Sequence, residues 1–525
     1  MKRGLRGILS VATLVATVTA ANAQQPQRGG TLILGFGSDP PTLSRNLSSD
    51  ITVGLIGCIL YQGLTRVTGA GEVKPMLAKS WTISPDGKTY DFQLNTANWQ
   101  DGKPVTSMDV AYSLTEISAK YSATFASAGR MIDKIDTPSP DRATIHLKQP
   151  YGPFLLSLAC TQGGGIMPKH VYEGTNPLQN PASTQKPVGM GPFLLEEWKR
   201  GDYLRLTKNP NYWETGKPYL DGVIAKVIPQ PAARHQALQA GEVDYITYYF
   251  LPVNDYGAVK ANPKLKLTPS TVPPGVDLLL FNVNRKPFDD ARLRQALFVA
   301  TDRDYLLRTA YLGQGTVGTM PFTNRIPWAI NPDVDFNKMY PFDPAKANRM
   351  LDEAGYKRGA DGNRFKVNMV YAADDPDPPL VTAALKNMWK AVGIDVTIES
   401  LERTVAAKRM FEDRDFDVTF VPYLSYGDPA LGIARIFVTS SIGKPYGNSS
   451  GYSNPEIDKL FEEGEKVTEQ SARTKFYQQI QAKLAVDLPV LTLHERILQD
   501  GYSANLRGIE EENYSPSWRD AWLAK

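Results

Sequence analysis

The sequence is poor in the residues that most often carry chemistry, with two cysteines and four histidines among 525 residues. So few cysteines exclude a small scaffold held together by disulfides. The histidines at 146, 170, 235 and 494 form no H-x₃-H pair, and the cysteines form no C-x₂-C pair. The sequence therefore predicts no metal ion and no other cofactor, and leaves open only a metal site assembled from distant positions.

Long runs of one charge sign and long apolar runs are also missing. The 58 Lys and Arg residues nearly balance 55 Asp and Glu residues, for a formal net charge of +3. Without a basic run or a stripe of alternating basic and aromatic residues, the chain shows no nucleic-acid footprint. Beyond the N-terminus no stretch approaches the about 18 apolar residues of a membrane span. The composition, 42% hydrophobic and 22% charged, is that of a globular protein, and the length suggests about three domains.

The N-terminus has the three-part pattern of a removable export signal. Lys2, Arg3 and Arg6 precede an apolar stretch over residues 8–18, and small residues lead to Ala23. A membrane anchor needs about 20 apolar residues, so residues 1–23 are predicted to be a signal peptide cleaved after Ala23. The mature chain then carries 55 basic and 55 acidic side chains, and the periplasm is the predicted location.

In that compartment Cys58 and Cys160 have two alternatives. A disulfide persists under oxidising conditions, whereas two separate thiols pack as small apolar groups. The sequence does not choose between them.

Strand and helix patterns alternate along the mature chain. Thr31–Leu34 reads as a first strand, and Asp343 and Asn454 each precede a proline as the N-cap of a helix. This alternation predicts α/β layers. Two apolar runs, 276–283 and 489–493, are either strands that bridge two lobes or core strands of one sheet.

One motif suggests an enzyme. Gly447-x-Ser449-x-Gly451 has the letters of a hydrolase nucleophile elbow, with His494 downstream. The elbow requires a buried strand before the serine, but the preceding segment is polar and contains Pro445. A secreted serine hydrolase is therefore only a remote alternative, and the chain is predicted not to be an enzyme.

Several segments, in order along almost the whole mature chain, carry a resemblance to one family. They are Tyr61–Leu64, Lys74–Trp81, Ser84–Tyr90, Trp99–Val110, Pro187–Phe193, Lys208–Trp213, Gly241–Asp244, Pro287–Leu297, Asp343–Tyr356 and Tyr452–Asp458. Met190 stands where this pattern usually has threonine. On these motifs the chain resembles the periplasmic solute-binding proteins of ABC importers, in the peptide, opine and nickel class (extracellular solute-binding protein family 5).

The resemblance implies a two-lobed α/β fold of the periplasmic-binding-protein type, with an additional domain inserted in the first lobe. The implied divisions are 24–48, 187–276 and 496–525 for lobe 1, 49–186 for the insert and 277–495 for lobe 2. The two apolar runs would then form the hinge. The implied function is capture of a small ligand between the lobes of a monomer and its delivery to permease subunits in the inner membrane.

The resemblance gives a mixed indication of the ligand. In peptide-binding relatives an acidic residue a few positions before an Asp/Glu-Pro pair takes the ligand's α-amine. Here the pair is Asp428-Pro429 and the position falls on Ser425. Some oligopeptide-binding relatives also use a basic residue in the preceding strand. Here the corresponding positions hold Thr419 and Phe420, so that basic residue is absent as well. Asp428 substitutes for the missing acid if the loop is shifted.

The remaining candidate ligand-binding residues come from the same rough alignment. Tyr423 and Tyr426 offer stacking faces and hydroxyls, unless they pack against their own loop. Ser49, Asp50 and Thr404 align with other cleft-lining segments. A di- or oligopeptide is the favoured ligand, and an opine-like molecule or an oligosaccharide is the alternative.

Overall fold

The computed structural model describes residues 25–68, 71–122, 124–268, 275–373, 378–425, 427–444, 446–509 and 518–525. The predicted signal peptide and Tyr426 lie outside these ranges. Among the described residues, no helix is both long and apolar enough to cross a membrane.

The described strands are numbered here in chain order. They are β1 Thr31–Phe36, β2 Thr65–Val67, β3 Val73–Pro75, β4 Ala78–Ile83, β5 Thr89–Leu94, β6 Ile132–Ser139, β7 Arg142–Leu147, β8 Phe193–Lys199, β9 Tyr203–Lys208, β10 Gly222–Val227, β11 Tyr245–Ile246, β12 Leu265–Leu267, β13 Gly275–Phe281, β14 Thr316–Val317, β15 Phe365–Ala372, β16 Ile394–Leu401, β17 Val418–Leu424, β18 Val490–Arg496, β19 Gly501–Ser503, β20 Leu506–Arg507 and β21 Trp522–Leu523.

The longer helices connect these strands. They are Ile51–Leu60, Pro231–Ala240, Ala291–Val299, Pro344–Glu353, Pro378–Ala391, Pro455–Lys466 and Gln470–Asp487. Shorter α-helical segments are Ser107–Tyr112, Ala119–Tyr121, Ala126–Met131, Phe154–Ser157, Lys169–Tyr172, Tyr256–Ala261, Arg303–Thr309, Phe336–Met339, Arg403–Ala407, Pro429–Gly432 and Ala434–Phe437. The two predicted N-caps are confirmed: Asp343 accepts a hydrogen bond from the Lys346 N–H, and Asn454 accepts one from Glu456.

Two large mixed sheets organise the chain. The first has the order β12-β19-β11-β1-β10-β9-β8, with β1 parallel to β10 and to β11. The second has the order β14-β18-β13-β17-β15-β16. A smaller antiparallel sheet, β4-β5-β7-β6, lies between β1 and β8 in the sequence and shares one apolar core with the first sheet.

The chain crosses between the two large sheets at neighbouring strands. It leaves the first sheet after β12 and enters the second at β13, and it returns from β18 to β19. Because β13 and β18 pair side by side, both crossings lie at one end of one strand pair. The apolar runs 276–283 and 489–493 are thus core strands of one sheet, and the segments that follow or precede them make the crossings.

Strand β13 shows why this apolar run has no alternation of polar residues. Leu279 and Phe281 pack in one core, whereas Val276, Leu278 and Leu280 pack in another. Successive side chains of a strand point to opposite faces, so a strand covered on both faces is apolar throughout.

The glycines of the Pro187–Phe193 motif allow a close approach of two backbone segments. Met190 and Gly191 both donate backbone hydrogen bonds to the Leu60 carbonyl, at 3.1 and 3.0 Å. A Cβ atom on Gly191 would lie 1.9 Å from the carbonyl oxygen of Ile59, and one on Gly189 would lie 2.4 Å from that of Leu60. The two ends of the segment that carries the small sheet are joined in this way.

Cys58 and Cys160 form a disulfide, with their Cα atoms 5.7 Å apart. The bond links the Ile51–Leu60 helix to a turn 102 residues later in the chain. It therefore closes a long loop in the unfolded chain, which stabilises the native state by reducing unfolded-state entropy.

Replacing both Cys58 and Cys160 by Ser should lower the free energy of unfolding by about 2–5 kcal/mol. Urea denaturation of the mature protein would measure the change, and wild-type protein kept reduced should match the variant. Equal stability of the oxidised wild type and the variant would contradict a stabilising role for this bond.

Candidate functional site

A small, partly open cavity of about 20 Å³ lies where the chain crosses between the two large sheets. Its described lining residues come from the segment after β11, from the second sheet and its helix, and from the β18–β19 crossing. They are Tyr248, Tyr249, Leu251, Val253, Tyr256, Pro378, Phe420, Pro422, Arg496 and Leu498. Both large sheets therefore contribute a wall.

Tyr248, Tyr249 and Tyr256 form an aromatic wall of the cavity. Hydrogen bonds fix this wall to the segment that crosses from β18 to β19. The Tyr248 N–H donates to Asp500 Oδ1 at 2.6 Å, and the Gln499 N–H donates to the Tyr256 hydroxyl at 3.0 Å. Burial raises the pKa of Asp500, although hydrogen bonds from Tyr245 and Tyr248 partly oppose it. These contacts couple the position of the tyrosines to the crossing itself.

A small apolar cluster beside the cavity brings distant segments together. Its buried members are Val67, Leu156, Ala159, Tyr248, Leu431 and Leu498, and Ile51 and Leu424 pack against it. Leu431 lies on the side of the cavity that carries the second large sheet. Val67 and Leu156 lie on the opposite side, which carries the first large sheet and the small sheet. The structure thus joins the two sides next to the cavity.

The cluster also places two predicted site segments near the cavity. Ser49 and Asp50 directly precede Ile51, and Ser425 directly follows Leu424. Asp50 is the N-cap of the Ile51–Leu60 helix, and its carboxylate accepts a hydrogen bond from the Thr52 N–H at 2.8 Å. Ser49 is half-buried.

Tyr423 and Ser425 differ in what surrounds them. Tyr423 is buried and donates its hydroxyl proton to the Gly447 carbonyl at 3.0 Å, so it packs against a loop of its own side. The cavity wall instead receives Phe420 and Pro422 from β17. The buried Ser425 hydroxyl has no hydrogen-bond partner among the described residues.

Asp428 is bound by an arginine of the same side. Its two carboxylate oxygens accept hydrogen bonds from Arg473 at 2.6 and 2.7 Å, and the Ala430 N–H donates to one of them. Burial alone lowers the pKa of Arg473, but the charge and hydrogen bonds of Asp428 raise it above its usual value. A bidentate pair of this kind is strong and directional, so Asp428 is held in the protein. Of the remaining predicted residues, Thr404 lies in the Arg403–Ala407 helix, and its side chain is outside the described part of the structure. Tyr426 lies wholly outside that part.

Next to this pair, Glu465 connects the two sides. Its carbonyl accepts a hydrogen bond from the Gly152 N–H at 2.8 Å, which joins the Pro455–Lys466 helix to the region of the small sheet. Burial, together with the nearby charge of Asp428, raises the pKa of the Glu465 carboxyl to about 7.

In the described part of the chain, His494 does not act as a base for the serine motif. His494 Nδ1 lies 3.0 Å from Asp277 Oδ2 and His494 Nε2 lies 2.7 Å from the Gln314 carbonyl oxygen, so neither nitrogen faces Ser449. Among the described residues no group of three or more His, Cys, Asp or Glu side chains is arranged to hold a metal ion.

Sequence reasoning missed the aromatic wall and Arg496. The run Tyr248-Tyr249-Phe250 after a short apolar strand was a visible signal, because adjacent aromatic residues outside a strand are candidates for a binding surface. For Arg496 no signal existed, since only the pairing of β13 with β18 brings it to the cavity.

The pKa of Glu465 predicts a pH dependence of stability. Between about pH 4.5 and 7 the folded state keeps a proton that the unfolded state releases, so stability falls as pH rises through this range. The shift corresponds to about 3 kcal/mol, which partial exposure of the side chain reduces to about 2 kcal/mol.

Urea unfolding at pH 4.5 to 8 should therefore show a smaller decline for Glu465→Gln than for the wild type. Glu456→Gln, exposed on the same helix, is the matched control and should follow the wild type. A wild-type slope retained in Glu465→Gln would contradict the assignment.

The fold and the sequence both match known proteins. The family model described as "Bacterial extracellular solute-binding proteins, family 5 Middle" matches residues 72–444. The oligopeptide-binding protein AppA of Bacillus subtilis is 29% identical over 530 residues, covering 96% of this chain and 93% of AppA. The probable D,D-dipeptide-binding periplasmic protein DdpA of Escherichia coli is 28% identical over 520 residues, 97% of each chain.

A solved structure extends the similarity to three dimensions. The AppA protein of Bacillus subtilis in complex with a nonapeptide superposes with a TM-score of 0.82 at 28% identity, covering 95% of this chain and 100% of that chain. The two large sheets, the crossings between them and the cavity thus form the two-lobed α/β fold that the motifs predicted. The chain belongs to the bacterial extracellular solute-binding proteins of family 5.

Proposed function

We propose that this protein is the periplasmic substrate-binding component of an ABC transporter, with a di- or oligopeptide as its ligand. The observation that carries the proposal is the cavity at the crossing between the sheets, with walls from both. A ligand that contacts both walls stabilises the closed arrangement and shifts the population towards it. The peptide assignment draws support from the similarity to AppA, an oligopeptide-binding protein, and to DdpA, a probable D,D-dipeptide-binding protein.

The proposal includes the remaining sequence-based expectations. The export signal is cleaved after Ala23, and the monomeric mature chain divides into lobe 1 (24–48, 187–276 and 496–525), the insert (49–186) and lobe 2 (277–495). Strand β13 begins within two residues of the boundary at 276/277, and strand β18 ends within two residues of the boundary at 495/496. Ser49, Asp50, Thr404, Tyr423, Ser425, Tyr426 and Asp428 remain the sequence-based ligand-binding candidates.

A second candidate ligand class is an opine-like molecule or an oligosaccharide. The aromatic wall of Tyr248, Tyr249 and Tyr256 favours it, since flat apolar faces with hydroxyls suit sugar rings as well as side chains. An enzymatic function has no support from Ser449, because His494 is engaged elsewhere. Ser449→Ala should retain wild-type ligand binding, and the wild type should leave bound peptides intact in mass spectra.

Thermal-shift measurements on the mature protein should separate these ligand classes. Di- to pentapeptides are expected to raise the melting temperature, since a ligand at about 100 times its Kd adds about 2.7 kcal/mol of stability. Native mass spectrometry of protein purified without refolding should show a co-purified molecule. No response to any peptide, alongside a shift with a sugar or an opine, would overturn the peptide assignment.

The aromatic wall should contribute to the binding of whichever ligand gives that shift. Tyr249→Ala is expected to weaken binding about two- to tenfold, because a ring contact contributes about 0.5–1.5 kcal/mol. Isothermal calorimetry would measure the affinity. Tyr305→Ala, an exposed tyrosine outside the cavity, is the control, and equal affinities for both variants would contradict a role for this wall.

A further inference from the structure

The two sides of the molecule are connected by the chain only at the two crossings. Every other contact between them has to form or break when their relative orientation changes. One such contact is made by Tyr151 and Gly152, in the segment after β7. It reaches the helices Pro455–Lys466 and Gln470–Asp487, which pack on the core of the second sheet. This contact does not belong to the described lining of the cavity.

Gly152 allows the two sides to approach closely. Its N–H donates to the Glu465 carbonyl oxygen at 2.8 Å. A Cβ atom at this position would lie 2.5 Å from the carbonyl oxygen of Val467 and 3.2 Å from the guanidinium carbon of Arg473, both on the other side. The φ angle of Gly152 is not positive, so the position requires the absence of a side chain and not an unusual backbone conformation.

Tyr151 inserts a rigid ring at the same contact. It is buried and belongs to the apolar core that contains the first sheet. Burial raises the pKa of Tyr151, and the negative charges of Glu465 and Asp428 on the other side raise it further. Its hydroxyl has no hydrogen-bond partner among the described residues. A buried side chain of one side thus ends beside the charged groups of the other.

The surface that receives Tyr151 and Gly152 is held by contacts within its own side. Arg473 donates two hydrogen bonds to the Asp428 carboxylate and one, at 2.6 Å, to the Tyr477 hydroxyl. Such a bidentate pair fixes the plane of the guanidinium. The position of this surface therefore does not depend on the contact between the two sides.

Glu465 is the group at this contact that changes its charge near neutral pH. The charged and titratable groups that face it are Asp428, Glu462, Arg473, Arg130 and Tyr151. Burial, followed by the charge of Asp428, raises the pKa of the Glu465 carboxyl to about 7, although Arg130 and Arg473 oppose the shift. When the sides separate, water reaches the carboxyl and its pKa falls towards the usual value of 4.5. The closed arrangement then binds a proton that the open one releases.

We propose that Tyr151 and Gly152 form a latch that docks on Glu465 and on the pair of Asp428 with Arg473, and that ionisation of Glu465 loosens this latch. The closed arrangement is then favoured in acid, and its population declines as the pH rises through 7. The latch goes beyond the proposed function, because it requires two sides that move against each other but no particular ligand.

Hydrogen exchange and small-angle X-ray scattering test the latch on the mature protein alone, after unfolding and refolding with the disulfide intact have removed bound molecules. Mass spectrometry follows exchange in the segment 149–154, which has few amides because Pro150 and Pro153 carry no N–H. The Gly152 amide is one of them and donates directly across the contact. The radius of gyration reports in parallel how far the two sides separate.

In the wild type, raising the pH from about 5.5 to about 8 should reduce the protection of this segment about tenfold, after correction for the pH dependence of intrinsic exchange. The radius of gyration should increase over the same range. Glu465→Gln should keep the protection and the radius of the acidic wild type at both pH values. Glu456→Gln, exposed on the same helix, is the control and should follow the wild type.

Gly152→Ala should lose the protection at both pH values and should have the larger radius throughout, because its Cβ atom would overlap the Val467 oxygen. Gly257→Ala is the matched control for this variant. Gly257 is exposed, and a Cβ atom there would meet no atom of another described segment within 4 Å. Its protection and radius should equal those of the wild type.

Loss of protection at high pH that Glu465→Gln prevents, together with a larger radius for Gly152→Ala, supports the latch. Equal protection and radius in Gly152→Ala and the wild type overturn it, and so does a pH dependence that Glu465→Gln retains. If Gly152→Ala does not fold, the comparison of Glu465→Gln with Glu456→Gln decides alone. Since no ligand is used, failure of the latch leaves the proposed function intact, and the thermal-shift measurements test that function separately.

Discussion

The pairing of β13 with β18 is the constraint on which the rest of this structure depends. The two strands lie side by side in the second sheet. The chain comes from the first sheet into β13 and returns to the first sheet after β18. The two connections between the sheets therefore lie at one place. The same pairing gathers side chains of both sheets at one point, which is why the cavity lies there.

Several buried charged groups lie along the contact between the two sides. Asp428 with Arg473, Glu465 beside them, Asp500 under the aromatic wall and Asp277 with its two basic partners all lie in or next to it. An ion removed from water is tolerated only with partners of good geometry. The pairs of Asp428 with Arg473 and of Asp277 with His494 are each formed within one side, so they fix the local geometry next to the contact.

Local features of the fold were predictable because they depend on a few neighbouring residues. An N-cap needs only a short polar side chain before a proline-initiated helix, and Asp343 and Asn454 supply it. The family motifs are short segments that can be read in the sequence, although Gly189 and Gly191 owe their identity to a distant contact with the backbone of Ile59 and Leu60. The role of the two apolar runs was less predictable, because burial on both faces produces the same sequence in a bridge as in a core strand.

The candidate site shows where local reasoning stops. Tyr423 was a reasonable ligand-binding residue by position, yet the two-residue alternation of β17 directs it to the Gly447 loop and gives the cavity to Phe420 and Pro422. Asp428, considered as a replacement for a missing acid, is paired to a residue 45 positions away. Neither partner can be read from the neighbouring sequence.

The sequence by itself determined the α/β class, the helix starts, the family and the balance of charge in the mature chain. Each of these depends on composition or on short segments whose physics is local. Only the tertiary structure decided that Cys58 bonds to Cys160, that Asp428 belongs to Arg473, and that Arg496 faces an aromatic cavity. The reason is physical: these contacts join residues 45 to more than 200 positions apart, and strand pairing, which the linear sequence does not specify, sets their distance.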